Sequence, residues 1–244
     1  MLSKHRIKLI RGLSQKKYRQ EFGLFTVEGI KSINEFLTSQ FNLDSLYSTA
    51  PVFDIVGEQY HQITALELKK ISSLKNPNTA LALFKIPEVR TPKSNGLILA
   101  LDDVRDPGNL GTIIRLCDWF GIEDLVCSLN TVDCFNSKVV QASMGSLTRV
   151  NVSYLELDSF IKSQSMPVFG TFMEGESIYK TTLPNAGIII LGNEANGISD
   201  NIKNLVEKAI TIPQFGEKQD TESLNVANAT AIILSEFKRR TIER

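Results

Sequence analysis

The chain has 244 residues, 42% hydrophobic and 22% charged, an ordinary composition for a folded protein of one large domain or two smaller ones. Its 27 Lys and Arg balance 27 Asp and Glu, which on its face argues against a nucleic-acid partner. Three cysteines, Cys117, Cys127 and Cys134, are too few and too irregularly spaced for a disulfide framework or a four-ligand zinc site, so they read as buried apolar residues and no metal is expected. No stretch approaches the ~18 uninterrupted apolar residues of a membrane span, and no apolar core follows the basic N-terminus as in a signal peptide. The expected setting is soluble, reducing and cytoplasmic, with no membrane.

The neutral total hides an asymmetry. Residues 1–95 hold 14 Lys and Arg against 8 Asp and Glu, and residues 96–244 hold 13 against 19, so about +6 sits beside about −6. The first twenty residues carry Lys4, Arg6, Lys8, Arg11, Lys16, Lys17 and Arg19 and no acidic residue. That is either a solvated helix surface or a face that contacts phosphates, as Lys and Arg that displace counterions do. Phosphate contact is the preferred reading, because the acidic half needs something to hold a polyanion.

Further on, the pattern gives a helix from Glu28 to Leu37, a short strand from Ser45 to Tyr47, and an apolar run from Ala80 to Ile86, a small α/β unit. The segment Pro87 to Gly96, PEVRTPKSNG, suits an exposed linker. The expected organisation is therefore an N-terminal domain over residues 1–90 and a C-terminal domain over 96–244. Beyond the linker, strand-like runs at Leu97–Leu101, Leu125–Cys127, Val150–Val152, Val168–Phe169, Ile188–Leu191 and Ala209–Ile212 alternate with helical patterns. These helices run over Leu110–Phe120, around Lys138 and over Val226–Arg240. Such alternation predicts a largely parallel sheet covered on both faces, with ligands at the carboxyl ends of its strands.

Three loops follow such strand ends. The first, LDDVRDPGNLGTIIRLCDWFGI (Leu101 to Ile122), is a strand, turn and helix in which Asn109 can cap the helix. Arg115 lies on the second turn among apolar neighbours, where a guanidinium needs an anion; a salt bridge to Asp118 or Asp103 is the structural alternative. The second, IIILGNEANGIS (Ile188 to Ser199), delivers Gly192, Asn193, Glu194 and Gly197 to a turn, with glycine where backbone approaches closely or turns left-handed. Glu194 is either a ligand carboxylate or a first-turn helix residue that favours the dipole. The third runs from Ile210 to Arg240; in it Ser223-Leu224-Asn225 open a helix rich in small residues, and Ser223 has the chemistry of an N-cap.

At these loops the sequence resembles the SpoU (TrmH-type) family of RNA ribose methyltransferases in the SPOUT superfamily. Asn109 and Arg115 match its first motif, Gly192 and Glu194 its second, and Ser223, Leu224 and Asn225 its third. FTVEGIKSINEFL, Phe25 to Leu37, resembles the start of the family's small RNA-recognition domain. The resemblance implies a C-terminal domain threaded as a trefoil knot, an exception to the rule against knots. It also implies an S-adenosyl-L-methionine site around Leu191, Gly192, Ile212 and Leu224, and a homodimer in which Arg115 of one subunit would serve the other's site. Two features depart from the family pattern: Asn193 stands where serine is frequent, and QFGEKQDTE between Pro213 and Ser223 is longer and more acidic than the usual loop.

The implied reaction is methyl transfer to a ribose 2′-hydroxyl, with 23S ribosomal RNA as the expected substrate. The implied catalytic set is Asn109, Arg115, Glu194, Ser223 and Asn225. Histidine is not available as base there, since His5 and His61 lie outside the C-terminal half, and a guanidinium is essentially never neutral in a protein. Arg115 is therefore expected to hold a phosphate and a developing alkoxide rather than to take a proton. A tRNA ribose methyltransferase and a non-catalytic RNA-binding protein of the same fold are the alternatives. A dinucleotide-dependent oxidoreductase ranks low, because no G-x-G-x-x-G follows a strand.

Overall fold

The computed structural model describes residues 2–77, 79–93, 95–216 and 223–242. The chain divides into two compact units, one of residues 1–89 with 133–148, the other of residues 90–132 with 149–244.

In the first unit the basic N-terminus forms two helices, α1 (Lys4–Gly12) and α2 (Lys16–Phe22), followed by β1 (Leu24–Glu28), α3 (Ile30–Leu37), β2 (Leu43–Ser48), β3 (Tyr60–Gln62), α4 (Ala65–Ile71) and β4 (Ala80–Lys85). The strands make a sheet in the order β1-β4-β2-β3, antiparallel except between β2 and β3. Alternation along β4 splits its side chains between two cores. Leu81 and Leu83 join Ile10, Leu13, Leu68 and Ile71 of the helices on one side. On the other, Phe84 packs with Phe25 and Phe36, and Phe25 meets Phe135 at 4.7 Å between ring centroids.

Phe135 belongs to a segment that returns to this unit from the C-terminal part of the sequence and carries α6 (Ser137–Ser143). A buried ion pair fastens it. Arg19, 2% exposed, donates through Nε and Nη2 to Asp133 Oδ2 at 2.9 and 2.5 Å, and through Nη1 to the carbonyls of Leu13 and Ser14. Arg19 is thus a structural residue and not a phosphate contact. Arg6 is likewise engaged, with Asp44, Ser45 and Tyr47. Of the seven basic residues near the N-terminus, Lys4, Lys8, Arg11, Lys16 and Lys17 remain exposed.

The second unit is built on β5 (Leu97–Leu101), α5 (Pro107–Phe120), β6 (Asp124–Ser128), β7 (Asn151–Leu155), α7 (Leu157–Lys162), β8 (Val168–Ser177), β9 (Gly187–Leu191), α8 (Asp200–Lys203), β10 (Lys208–Thr211) and α9 (Val226–Ile242). Its sheet runs β10-β8-β9-β5-β6-β7, parallel throughout. Strands β5 and β9 are buried along their whole length, which is why they read as unbroken apolar runs. Helices α7 and α8 cover one face, with Ile161 and Ile202 against Ile98, Ile188 and Ile190. Helices α5 and α9 pack together, and Phe237 of α9 meets Phe169 of β8 edge to face at 5.3 Å. The crossing of β5 between β9 and β6 puts the ends of β5 and β9 side by side, with Leu101 paired to Leu191, so two of the three predicted loops emerge together.

Removing one partner of a buried ion pair leaves the other charge uncompensated, so Arg19→Ala should lower the stability of the first unit by about 3–5 kcal/mol. The check is denaturant unfolding of the full chain followed by hydrogen exchange of the β1 amides. Arg19→Met combined with Asp133→Leu should recover most of the loss.

Candidate active site

Loop one starts with Asp102, 6% exposed at the end of β5. Its Oδ2 accepts from both the backbone N–H and the hydroxyl of Ser199, at 2.8 and 2.6 Å, and so ties loop one to the far end of loop two. The N-cap of α5 is Asp106, whose Oδ1 accepts from Asn109 N–H, with Pro107 as the first helical residue. This corrects the expectation that Asn109 caps the helix. The Asp-Pro pair was the signal, since Pro fits a first helical turn. The Asn109 side chain is freed for the site.

Loop two is closed by glycine. A Cβ on Gly192 would stand 2.1 Å from the carbonyl carbon of Gly197, closer than any side chain tolerates. Gly197 has φ +67°, and Asn193 and Gly197 exchange backbone hydrogen bonds at 2.9 Å. The Asn193 side chain fixes the turn further. Its Oδ1 accepts from Ala195 and Asn196 N–H, and its Nδ2 donates to the carbonyl of Asp103 at 2.7 Å. A serine could not span both contacts, which gives the residue that departs from the family pattern a definite role.

Loop three contributes the entry to α9. Asn225, rather than Ser223, caps the helix, its Oδ1 accepting from Ala227 and Asn228 N–H. Its Nδ2 donates to Asn109 Oδ1 at 2.9 Å, and Asn109 Nδ2 donates to Glu194 Oε1 at 2.8 Å. One line of hydrogen bonds therefore runs through all three loops. It ends on a carboxylate.

Two hollows flank this line. A cavity of about 1040 Å³ is walled by Leu191, Gly192, Ile212 and Leu224, with Ile210 and Ile233 extending its apolar side and Glu194, Asp200 and Ser223 its polar side. It is at the upper end of the size of small-molecule sites. A shallower cleft of about 710 Å³ is lined by Arg105, Asp106, Asn109, Asn193, Glu194 and Asn225. Glu194 and Asn193 belong to both. Of the stretch after Pro213, Gln214, Phe215 and Gly216 line the cavity, while residues 217–222 lie outside the described residues.

Eight of the nine residues singled out in the sequence thus line one hollow or the other. Arg115 lines neither. It is exposed, and among the described residues it forms no ion pair: Asp118 is taken by Arg149, at 2.9 Å, and Asp103 by Arg105, at 2.8 Å. The structural alternative for Arg115, a salt bridge to Asp118 or Asp103, is not formed. Sequence reasoning missed Asp102 and Arg105; a carboxylate at the buried end of a strand, followed by the Asp-Pro turn, was the available signal for the first.

Residues 96–235 match the model of the SpoU rRNA Methylase family. The chain belongs to this family. Residues 4–82 match the MRM3-like substrate binding domain. Among solved structures, a TrmH-family protein of Porphyromonas gingivalis superposes with a TM-score of 0.91 at 38% identity, over 98% of this chain and 99% of that one. An rRNA methyltransferase of Sinorhizobium meliloti, solved with AdoMet bound, gives 0.86 at 28% identity, over 98% and 96%. The fold is accordingly the trefoil-knotted SPOUT fold of the SpoU enzymes. Among curated relatives, the 23S rRNA (guanosine(2553)-2′-O)-methyltransferase RlmP of Bacillus subtilis is 28% identical over 121 residues, 48% of either chain. The tRNA (guanosine(18)-2′-O)-methyltransferase of Aquifex aeolicus is 33% identical over 85 residues, 34% of this chain and 39% of its own. The matched region spans about half the length of these curated relatives or less.

In this SpoU-family chain, Gly192→Ala should force the turn at residues 193–197 open. The expected result is a loss of about 1–3 kcal/mol in stability and at least a tenfold weaker affinity for S-adenosylmethionine by calorimetry, about 1.4 kcal/mol.

Proposed function

We propose that the protein transfers a methyl group from S-adenosyl-L-methionine to a ribose 2′-hydroxyl of RNA, and that its substrate is large-subunit (23S) ribosomal RNA. The observation that carries the reading is the hydrogen-bonded line Asn225–Asn109–Glu194 set between a deep cavity and a shallower cleft. The MRM3-like substrate binding domain and the 23S rRNA enzyme among its relatives support the choice of RNA. The tRNA enzyme among them keeps tRNA as the second candidate.

The cavity fits the cofactor by its chemistry. An apolar wall of Leu191, Ile210, Ile212, Leu224 and Ile233 suits a flat adenine, and the carboxylates of Glu194 and Asp200 suit a cationic sulfonium and ammonium. When bound, S-adenosylmethionine supplies an electrophilic methyl group. The remaining task is alignment, which a preorganised site supplies by holding the hydroxyl in line. Asn109 and Asn225 have their amide groups fixed from both sides, so they orient the hydroxyl without reorganising. Ser223 shapes the wall beside them. Glu194 organises the amides and offers an acceptor toward which the proton can move.

Arg115 stabilises the phosphate and the alkoxide that develops on the ribose. Among the described residues it lines neither hollow of its own chain, and Trp119, one turn further along α5, is 84% exposed. Both facts support a homodimer in which the α5 surface is buried and Arg115 acts in the partner's site. The exposed Lys4, Lys8 and Arg11, spaced to share one face of α1, are read as phosphate contacts of the first unit. Among the described residues no helix is long and apolar enough to cross a membrane.

The decisive assay incubates the protein with labelled S-adenosylmethionine and, separately, unmodified ribosomal RNA and bulk tRNA, then identifies the labelled nucleosides. Label in a 2′-O-methylnucleoside of 23S rRNA is expected; label in tRNA alone would transfer the proposal to that substrate, and cofactor binding without label in either would favour a non-catalytic RNA-binding protein.

Arg115→Ala and Asn225→Ala should each reduce turnover by about 10²-fold or more. Mixed after dissociation and reassociation, the two variants should regain about a quarter of wild-type activity, since half the two-fold dimers would then carry one intact site. A mixture no more active than its components would place Arg115 in the site of its own chain.

A further inference from the structure

Among the described residues the open cleft beside Asn109, Glu194 and Asn225 has one cationic residue in its lining, Arg105, which belongs to none of the three motif sets. Its side chain is 69% exposed but not loose, because Nε donates to Asp103 Oδ1 at 2.8 Å. That bond leaves both terminal amino groups without a protein partner among the described residues. They form the edge of the guanidinium that can grip a phosphate through two hydrogen bonds.

Asp103, which holds Arg105, is itself held on both sides. Its N–H donates to Ser128 Oγ at 2.8 Å and its carbonyl accepts from Asn193 Nδ2 at 2.7 Å. Its φ is +61°, a left-handed conformation uncommon outside glycine that aspartate and asparagine adopt more readily than other residues. Such positions persist where the surroundings over-determine them, and they cluster at ligand clamps. The other charges on the cleft are the carboxylates of Asp106, engaged as the cap of α5, and Glu194, which accepts from Asn109. A polyanion entering here meets two carboxylates. Arg105 is the group that offsets them.

Resting on the RNA methyltransferase reading, we infer that Arg105 binds a backbone phosphate next to the nucleotide whose ribose enters the cleft, and that Asp103 is its positioning residue. Phosphate contacts fix register without reading sequence. Arg105 therefore sets how the strand lies across the site, while the cofactor cavity on the other side of Glu194 is independent of it.

The test uses the full chain, with filter binding of in vitro-transcribed 23S rRNA and unmodified tRNA over a salt series, methylation kinetics, and calorimetry with S-adenosylmethionine. Arg105→Gln should raise the KM for RNA about tenfold and reduce the slope of log affinity against log salt by about 1. Its kcat and cofactor affinity should stay within about twofold of wild type, as expected when uniform binding is lost. Arg105→Lys should restore the salt slope but only part of the KM, because it keeps the charge and loses the planar fork. Asp103→Asn should fall between the two. An unchanged KM and salt slope in Arg105→Gln would overturn the inference while leaving the methyltransferase reading intact, as would a fall in kcat alone. A wild-type protein that neither binds nor methylates either RNA would remove the reading, and the inference with it.

Discussion

The site depends on one steric constraint, the contact of backbone with backbone at Gly192 and Gly197. A β-carbon at residue 192 would stand 2.1 Å from the carbonyl carbon of Gly197. Because only glycine permits that approach, the chain after β9 doubles back at once, and Glu194 is held at the tip of a closed turn rather than on a free loop. Asp102 then fixes the exit of the turn through Ser199, and Asn193 fixes its flank to the Asp103 carbonyl. Each of these contacts spans more than 85 residues of sequence. They convert two adjacent strand ends into one rigid platform.

On that platform the hydrogen-bonded line to Glu194 is carried by carboxamides, and this has a chemical consequence. An amide can donate and accept at once, so Asn225 caps α9 with its oxygen while its nitrogen reaches Asn109, which in turn reaches Glu194. The chain of amides fixes geometry without adding charge. Positioning of this kind suits a reaction in which the electrophile is supplied ready-made and alignment is the main task left to the protein. A histidine base, absent from all three loops, is not required to make the arrangement intelligible.

Much of this was legible in the sequence, for definite physical reasons. The buried parallel strands β5 and β9 appear as unbroken apolar runs, and α5 and α9 appear as periodic helices. The loops at their ends could therefore be placed, and Leu191, Gly192, Ile212 and Leu224 from those loops wall the cavity. What was not legible was which polar residue performs which local task. Asn109 and Asp106 both suit an N-cap, with only the following proline to favour Asp106, and between Ser223 and Asn225 only tertiary geometry decides. The strand β1 was hidden because Leu24 to Glu28 runs straight into the helical pattern of α3. The roles of Arg6 and Arg19 were hidden for a different reason: a charge count treats every arginine alike, whereas two of them are consumed by carboxylates far away in sequence. The return of residues 133–148 to the first unit leaves no compositional mark at all, since it rests on that ion pair and on Phe135 against Phe25.

Two arginines with contrasting surroundings give the proposed chemistry its division of labour. Arg105 is anchored by Nε and lines the cleft of its own chain; Arg115 is unanchored among the described residues and lines neither hollow. An anchored guanidinium loses little further freedom when it binds a phosphate, so it is suited to holding an RNA strand in register before the reaction. An unanchored one, brought in by a second subunit, would complete the electrostatic field only when the dimer is assembled. On this reading the cleft of one chain is built to orient the ribose and is short of positive charge, with the carboxylates of Asp106 and Glu194 and, among the described residues, the single cation Arg105 in its lining. In the proposed homodimer the missing charge is what the partner would supply, which would make association and catalysis properties of the same α5 helix.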